Sequence, residues 1–129
     1  MELVYQRNPK GTAHALQQIP AGELRGRTVL VVNGDSPLLT AASIRSVIDA
    51  HEQQKAPATI ASVVDPTRDD GRIIRGTDGS LERIIERKDA TPEIRAAFHE
   101  FNVGLYCFDG SRLTDELGKV ADDNKAGEF

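Results

Sequence analysis

The sequence is poor in cysteine and in aromatic residues: it has one cysteine, no tryptophan, two tyrosines and four phenylalanines. A single cysteine, Cys107, cannot form a disulfide within the chain, which excludes a small secreted fold held by disulfides and favours a reducing cytoplasm. The opening residues Met-Glu-Leu-Val-Tyr-Gln contain no basic segment leading into an apolar stretch, so we expect no secretory signal. No apolar run approaches the roughly 20 residues that cross a bilayer, which excludes a membrane-spanning helix.

The sequence also lacks an excess of positive charge. It has 16 Lys and Arg residues against 20 Asp and Glu residues, which gives a formal charge of -4 and a pI near 5.3. Without a basic surplus to neutralise phosphates, nucleic acid is not an expected partner. The 129 residues, 39% hydrophobic and 28% charged, have the composition of a folded water-soluble protein, and we predict a single domain over residues 1–129.

Familiar catalytic motifs are absent as well. His14, His51 and His99 have neither HxxxH spacing nor a cysteine cluster beside them, so no zinc site is predicted. Ser36 lacks the G-x-S-x-G elbow, and Cys107 lies in an apolar run where a core thiol is expected. Zinc enzymes, serine hydrolases and cysteine hydrolases therefore have little support.

A strand, a helix and a second strand are predicted in the first half of the chain. Thr28–Val32 is a continuous apolar run rich in β-branched residues, which predicts a central strand of a parallel sheet with neighbours on both sides. Thr40 can cap the following helix, whose apolar residues recur at helical spacing. Ala58–Val64 is the second apolar run. This order predicts a right-handed βαβ crossover and an α/β fold.

The second half of the chain predicts a β-hairpin and a further strand. The segments 72–75 and 81–86 flank Asp78-Gly79, a dipeptide with turn chemistry. Thr91 followed by Pro92 predicts the start of a short helix. The other predicted elements are a short helix over 11–19, a strand over 102–108 and a last helix that begins at Asp109.

Asp35 is the first candidate for a functional residue. It follows the first predicted strand directly, and open α/β sheets bind ligands in the crevice at the carboxyl ends of their strands. A carboxylate there suits Mg²⁺, which takes one or two carboxylates and keeps water and phosphate oxygens as its other ligands. An aspartate in an ordinary turn explains the local sequence equally well. A phosphoacceptor in a receiver-like domain fits poorly, because no acidic pair precedes Asp35.

Other candidates are weak when each is taken alone. Gly11-Thr12 combines a glycine that admits close approach to the backbone with a hydroxyl, although a plain helix start explains it more simply. Glu86 and Asn102 can hydrogen-bond sugar hydroxyls, but each is also typical of a solvated strand end. The acidic pairs Asp69-Asp70 and Asp122-Asp123 are interpreted as solvated loop charges.

Taken together, these segments occur in a characteristic order. The series is Gln6, Gly11-Thr12-Ala13-His14-Ala15, Asn33-Gly34-Asp35-Ser36-Pro37-Leu38, Asp65-Pro66-Thr67, Gly71-Arg72-Ile73, Ile85-Glu86-Arg87-Lys88-Asp89-Ala90-Thr91 and Asn102-Val103-Gly104-Leu105-Tyr106. It resembles the uridylyltransferase domain of the bifunctional N-acetylglucosamine-1-phosphate uridyltransferase / glucosamine-1-phosphate acetyltransferase family, over nearly the whole chain. The resemblance implies a Rossmann-like nucleotidyltransferase fold with three α/β/α layers, a mostly parallel sheet and a β-hairpin insertion, truncated at both ends.

The resemblance also implies a reaction and the residues that serve it. The reaction is attack of N-acetylglucosamine-1-phosphate on the α-phosphorus of UTP, which forms UDP-N-acetylglucosamine and releases pyrophosphate. The implied roles are catalysis and Mg²⁺ binding for Asp35, uracil binding for Gln6, Gly11 and Thr12, and sugar binding for Gly34, Gly71, Glu86 and Asn102. The implied partners are UTP and the sugar phosphate, and the implied parent protein is a cytoplasmic homotrimer assembled through an acetyltransferase domain.

The sequence departs from the family pattern at several points. The family's Gly-rich phosphate loop, with its arginine and lysine, precedes the region of Gln6, and its second Mg²⁺-binding asparagine follows the region of Phe129, so we expect the isolated chain to be inactive. Asn33 and Asp70 replace residues that are commonly aromatic in the family, which leaves open a related nucleotidyltransferase for another sugar or nucleotide. A non-catalytic sugar-nucleotide-binding or structural module is the alternative outside enzymes.

Overall fold

The computed structural model of the protein describes residues 2–36 and 39–120. Its elements in chain order are α1 (Thr12–Gln17), α2 (Ala21–Leu24), β1 (Thr28–Val32), α3 (Ala41–Gln54), β2 (Ala58–Val64), β3 (Arg72–Arg75), β4 (Leu81–Ile85), a 3-10 turn (Arg87–Asp89), α4 (Pro92–Ala97), β5 (Glu100–Asp109) and α5 (Gly110–Leu117). The acidic pair Asp122-Asp123 and the Pro37-Leu38 step lie outside the described residues.

The ten-residue strand β5 joins all parts of the sheet. Strand β2 pairs with one edge of β5, from Glu100 to Phe108 of β5. On the other edge, β1 pairs with residues from Leu105 to Asp109, and the β3–β4 hairpin joins through the pair Arg72 and Phe101. These pairings give the sheet order β1-β5-β3-β4, and β2 lies on the edge of β5 opposite β1 and β3.

The α/β class is confirmed, but the predicted mostly parallel sheet is wrong. Every strand pair among the described residues is antiparallel. Strands β1 and β2 both run antiparallel to β5, so they point in the same direction, as the strand-helix-strand order predicts. They do not pair with each other as parallel neighbours because β5 lies between them.

The predicted central position of β1 is also wrong in this chain. Its bounds are those predicted from the sequence, but within residues 2–36 and 39–120 it pairs with β5 alone. Val32 is 42% exposed, and the three residues before it are only half-buried. An apolar run of this kind needs cover on both faces and says nothing about how many strands lie beside it.

Helices cover both faces of the sheet, which confirms the three-layer arrangement. Val29 of β1 and its partner Phe108 pack on one side against a cluster of leucines from α2 and α5. Leu30 and its partner Cys107 pack on the other side, against α3. Successive residues of a strand point to opposite faces, so one of these adjacent pairs packs in each core.

The helix starts follow the side-chain chemistry of the sequence. Thr40 accepts a hydrogen bond from the amide of Ser43 at 3.1 Å, and Thr91 accepts one from the amide of Ile94 at 3.4 Å. Asp109 caps α5 in the same way. These predicted caps are confirmed. Among the described residues, no helix has the length and apolar character needed to span a membrane.

Core packing on β5 predicts where truncation is costly. Leu105 is 1% exposed and packs in the same cluster as Val47 of α3, whereas Leu81 of β4 is 43% exposed. We expect Leu105→Ala to lower the free energy of unfolding by about 2–5 kcal/mol, because it removes buried contacts and leaves a cavity. Leu81→Ala, the matched control, should cost less than about 1 kcal/mol. Equal losses in urea unfolding would contradict the central place of β5 in the core.

Candidate functional site

An open cleft of about 790 Å³ lies beside the middle of β5. Five segments line it: the start of α1, the turn after β1, the loop 68–71, residues 86–87 just after β4, and residues 102–106 of β5. The segments are far apart in sequence and meet here because β1 and the β3–β4 hairpin pair with the same edge of β5. The cleft is therefore a product of the sheet topology.

Six of the eight candidate residues line this cleft, namely Gly11, Thr12, Asp35, Gly71, Glu86 and Asn102. The other two, Gln6 and Gly34, do not line it. Gln6 lies directly behind α1, where its side-chain amide donates to the Gly11 carbonyl at 3.1 Å and approaches His14 Nδ1 at 2.7 Å. Gly34 lies in the turn just before Asp35.

Asp35 is an exposed carboxylate just beyond the carboxyl end of β1. It makes no hydrogen bond or ion pair with any other residue in the described ranges 2–36 and 39–120. No group of three or more potential metal ligands occurs in those ranges either. One carboxylate, a hard oxygen ligand, at an open polar cleft fits Mg²⁺, which usually keeps several waters and takes phosphate oxygens when bound to a protein.

The Glu86 carboxylate lies directly over the backbone of Gly71. A Cβ atom on Gly71 would lie 3.3 Å from Glu86 Oε2, so the absence of a side chain leaves room for this approach. Glu86 is exposed and lies just beyond β4. A carboxylate held against bare backbone is an acceptor for ligand hydroxyl groups.

Asn102 belongs to an irregular stretch of β5 that bends into the cleft. Between the pair of Ile60 with Tyr106 and the pair of Ser62 with Asn102, β2 advances by two residues while β5 advances by four, and Gly104 within that stretch has φ 72°. Asn102 Nδ2 donates to Tyr106 Oη at 2.6 Å, and its Oδ1 accepts from the Gly104 amide at 3.1 Å. These bonds fix the amide group at the cleft surface.

The structure adds two residues to the site that the sequence analysis named in its motifs without giving them a binding role. Tyr106 lines the cleft beside Asn102. Asn33 lines it beside Gly104, and the backbone N–H of Asn33 donates to the Gly104 carbonyl at 3.2 Å. The Asn-x-Gly-x-Tyr spacing on one strand was the only available signal for Tyr106. Asn33 lies against Gly104 because β1 and β5 are neighbours, a contact that local sequence does not encode.

Asp69 corrects the interpretation of Asp69-Asp70 as solvated loop charges. Its carboxylate pairs with three arginines, Arg72 at 2.9 Å, Arg87 at 2.9 Å and Arg95 at 3.2 Å. The hydrogen bond from Arg72, with the charges of Arg95 and Arg87, holds the pKa of the Asp69 carboxyl below its ordinary value. Asp69 therefore stabilises the fold above its unfolded pKa of about 3.9, and this contribution is lost as the pH falls through the lower folded pKa. Asp70 makes a more exposed pair with Arg68.

The charge of the cleft is unfavourable for a bare polyphosphate. Its lining contains four carboxylates, from Asp35, Asp69, Asp70 and Glu86, but only two guanidinium groups, from Arg68 and Arg87. A polyphosphate binding here needs further positive charge, supplied by a cation or by basic groups from elsewhere.

A layered α/β domain with a polar cleft across its strand ends is of the kind that binds small polar ligands. The comparison with protein families is more specific: the nucleotidyl transferase family matches residues 1–128. The chain belongs to the nucleotidyl transferase family.

Three curated relatives carry the same name. The chain is 45% identical over 128 residues to "Bifunctional protein GlmU" of Limosilactobacillus fermentum, covering 96% of this chain and 28% of that protein. It is 44% identical over 132 residues to the protein of that name from Listeria monocytogenes, and 39% identical over 132 residues to that from Exiguobacterium sp.. These alignments cover 99% and 100% of this chain. The chain spans 28–29% of the length of these relatives.

Gly104 offers a test of the contact that shapes the cleft. Its φ of 72° strains any L-residue, and an added Cβ would lie 2.5 Å from Asn33 Nδ2. Gly79, in the β3–β4 turn, has φ 82° but no atom within 4 Å of an added Cβ, so it is a matched control for backbone strain alone. We expect Gly79→Ala to cost about 1–2 kcal/mol in urea unfolding, and Gly104→Ala to cost at least about 1 kcal/mol more.

The excess cost of Gly104→Ala should shrink when Asn33→Ala is combined with it, since that change removes the clashing amide. If the two glycine variants lose the same stability, the close approach of Asn33 to Gly104 is not a constraint on this chain.

Proposed function

We propose that this chain is the base-facing and sugar-facing part of a uridylyltransferase that forms UDP-N-acetylglucosamine and pyrophosphate from UTP and N-acetylglucosamine-1-phosphate. The observation that carries the proposal is the meeting of Gly11, Asp35, Glu86 and Asn102, which come from four separate segments, in one cleft. Membership in the nucleotidyl transferase family supports the class of reaction. The resemblance in motif order supports the uridine and N-acetylglucosamine specificity.

The base lies at the α1 end of the cleft in this proposal. Gly11 has φ 95° and no side chain, so a flat ring can approach the backbone next to the Thr12 hydroxyl. Gln6 supports this wall from behind through its hydrogen bond to the Gly11 carbonyl. The donor and acceptor atoms of the Gln6 amide suit the edge of a uracil ring, and the assignment of Gln6 to the base comes from the motif order.

The sugar lies at the opposite end, between the hairpin and β5. Glu86 accepts hydrogen bonds from sugar hydroxyls, and Asn102, held by Tyr106 and Gly104, presents a fixed amide to the acetamido group or ring hydroxyls. Gly71 has no side chain, which leaves room in the cleft for the sugar ring. Gly34 precedes Asp35 in the turn, and its assignment to the sugar comes from the motif order, since it does not line the cleft.

Asp35 holds Mg²⁺ in this proposal. When bound, the ion neutralises phosphate charge in a cleft that otherwise has more carboxylates than guanidinium groups. The chain's own contribution to the reaction is to orient the two substrates so that the sugar phosphate and the α-phosphorus of UTP meet in line. No side chain of the cleft is required as a covalent nucleophile.

The chain by itself is proposed to be catalytically inactive. A triphosphate brings about four negative charges, and its recognition in this class of enzyme relies on loop amides, basic groups and a metal together. The sequence contains no Gly-rich strand-to-helix loop, and it spans 28–29% of the relatives described above. We propose that the whole protein supplies the missing groups, is cytoplasmic and assembles as a homotrimer through an acetyltransferase domain.

A chimera tests the role of Asp35. This chain replaces the matched segment of the Listeria monocytogenes relative, and pyrophosphate release from UTP and N-acetylglucosamine-1-phosphate is measured with Mg²⁺. We expect turnover in the chimera and none detectable with the 129-residue chain alone. Asp35→Asn in the chimera should reduce the rate on the order of 10²-fold or more, because a charged ligand of the metal is lost.

The matched control is Asp49→Asn, which changes an exposed aspartate on α3 outside the cleft and should leave the rate unchanged. The unmodified relative is the positive control for the assay. A chimera indifferent to Asp35→Asn, or turnover by the 129-residue chain alone, would refute the assigned roles.

A second candidate is a binding module without catalysis, which the intact cleft in a chain lacking a phosphate loop favours. Calorimetric titration of the 129-residue chain with UDP-N-acetylglucosamine distinguishes it. Under this second candidate, the chain binds the ligand while the chimera shows no turnover.

A further inference from the structure

Asp69 connects three segments that build the sugar end of the cleft. Its Oδ1 accepts from Arg72 at 2.9 Å, at the start of β3. Its Oδ2 accepts from Arg95 Nη1 at 3.2 Å, in α4, and forms an ion pair with Arg87 Nε at 2.9 Å, in the 3-10 turn. One carboxylate on the loop before β3 thus fixes that loop against two later segments of the chain.

Arg72 ties this junction to the core. The residue is 3% exposed, its guanidinium lies 4.9 Å from the centre of the fully buried Phe101 ring, and its Nη1 donates to the Asp70 carbonyl at 3.2 Å. Its Nε is buried and has no hydrogen-bond partner among the residues that the structure describes. A buried guanidinium needs a counter-ion, and Asp69 is its partner, so the two side chains hold each other in a single geometry.

Arg95 fixes the segment that carries Glu86. Its Nη2 donates to the Arg87 carbonyl at 2.8 Å, and its Nε donates to the Ala90 carbonyl at 3.1 Å. Arg87, the neighbour of Glu86, is therefore held through its side chain by Asp69 and through its backbone by Arg95. Because Arg95 also pairs with Asp69, the loop and this segment are joined by one set of contacts.

The contacts of Asp69 hold together the two segments that carry Gly71 and Glu86, and these two residues lie close to each other. Gly71 lies between Asp69 and Arg72 in sequence, and Glu86 precedes Arg87. The distance from the Gly71 Cβ position to Glu86 Oε2 is 3.3 Å. From this geometry we propose that Asp69 is a positioning residue for sugar recognition, which sets the Glu86 carboxylate over Gly71. The inference rests on the proposed function, because it assumes that Glu86 binds the sugar.

The base end of the cleft should not depend on Asp69. Gly11 and Thr12, which form that end, take no part in the contacts between Asp69 and its three arginines. A change at Asp69 should therefore weaken the sugar contribution to binding and leave the nucleotide contribution intact. UDP and UDP-N-acetylglucosamine differ by the sugar alone, so the ratio of their dissociation constants isolates this contribution.

The experiment measures that ratio for the 129-residue chain by calorimetry. We expect Asp69→Asn to reduce the preference for UDP-N-acetylglucosamine over UDP by about tenfold, a loss of about 1.4 kcal/mol, with little change in the UDP constant. Asp69→Glu, which keeps the charge, should restore part of the preference. Asp49→Asn, which changes an exposed acid on α3 outside the cleft, is the matched control and should leave the ratio unchanged.

A double substitution separates positioning from general loosening. Glu86→Gln alone should reduce the preference, and Asp69→Asn should add little in the Glu86→Gln background, because Asp69 acts through Glu86. Additive losses would overturn the inference. An unchanged ratio in Asp69→Asn with normal binding of both ligands would overturn it while leaving the proposed function intact.

Hydrogen exchange decides the inference if the isolated chain binds neither ligand, an outcome that counts against the binding-module function. Asp69→Asn should speed amide exchange over residues 65–71 and 86–97, and leave β1 and the far part of β5 unchanged. If exchange in those two segments stays as slow as in the original chain, Asp69 does not position them.

Discussion

The fold depends on one strand that is long enough to serve two neighbours on the same edge. Strand β5 pairs with β1 near its carboxyl end and with the β3–β4 hairpin near its amino end, and β2 covers the opposite edge. The stretch between these pairings cannot remain a regular ladder, because Gly104 has a positive φ and β2 is shorter there by two residues. The irregular stretch holds Asn102 and Tyr106, so the position of the cleft and the connection of the sheet have the same physical cause.

Sequence periodicity predicted the elements well where the determinants are local. The bounds of β1, the caps at Thr40, Thr91 and Asp109, and the hairpin around Asp78-Gly79 depend on neighbours within a few residues, and the structure has them. The sheet order does not depend on local sequence. An apolar run predicts a strand that packs against other parts of the protein, but it does not specify its neighbours. Neither the β1 run nor the β2 run therefore indicates that β5 lies between them.

The candidate site divides in the same way. Asp35, Glu86 and Asn102 come at the ends or bends of strands, where polar residues after apolar runs are visible in the sequence. Asp69 was misinterpreted because its partners Arg87 and Arg95 are 18 and 26 residues away, and Arg72 alone is close enough to suggest a pair. Ion pairs that combine near and distant residues become visible only in the tertiary structure.

The unpaired edge of β1 has a consequence for the chain in solution. Within the described residues, this strand offers its outer row of amide and carbonyl groups to no other strand, and Val32 at its end is 42% exposed. Such an edge is a template on which another extended segment can add, and no lysine or proline interrupts Thr28–Val32. Self-association of the chain is therefore expected to rise with concentration and to begin at this edge, and a strand that covers it would act as a solubility element as well as a structural one.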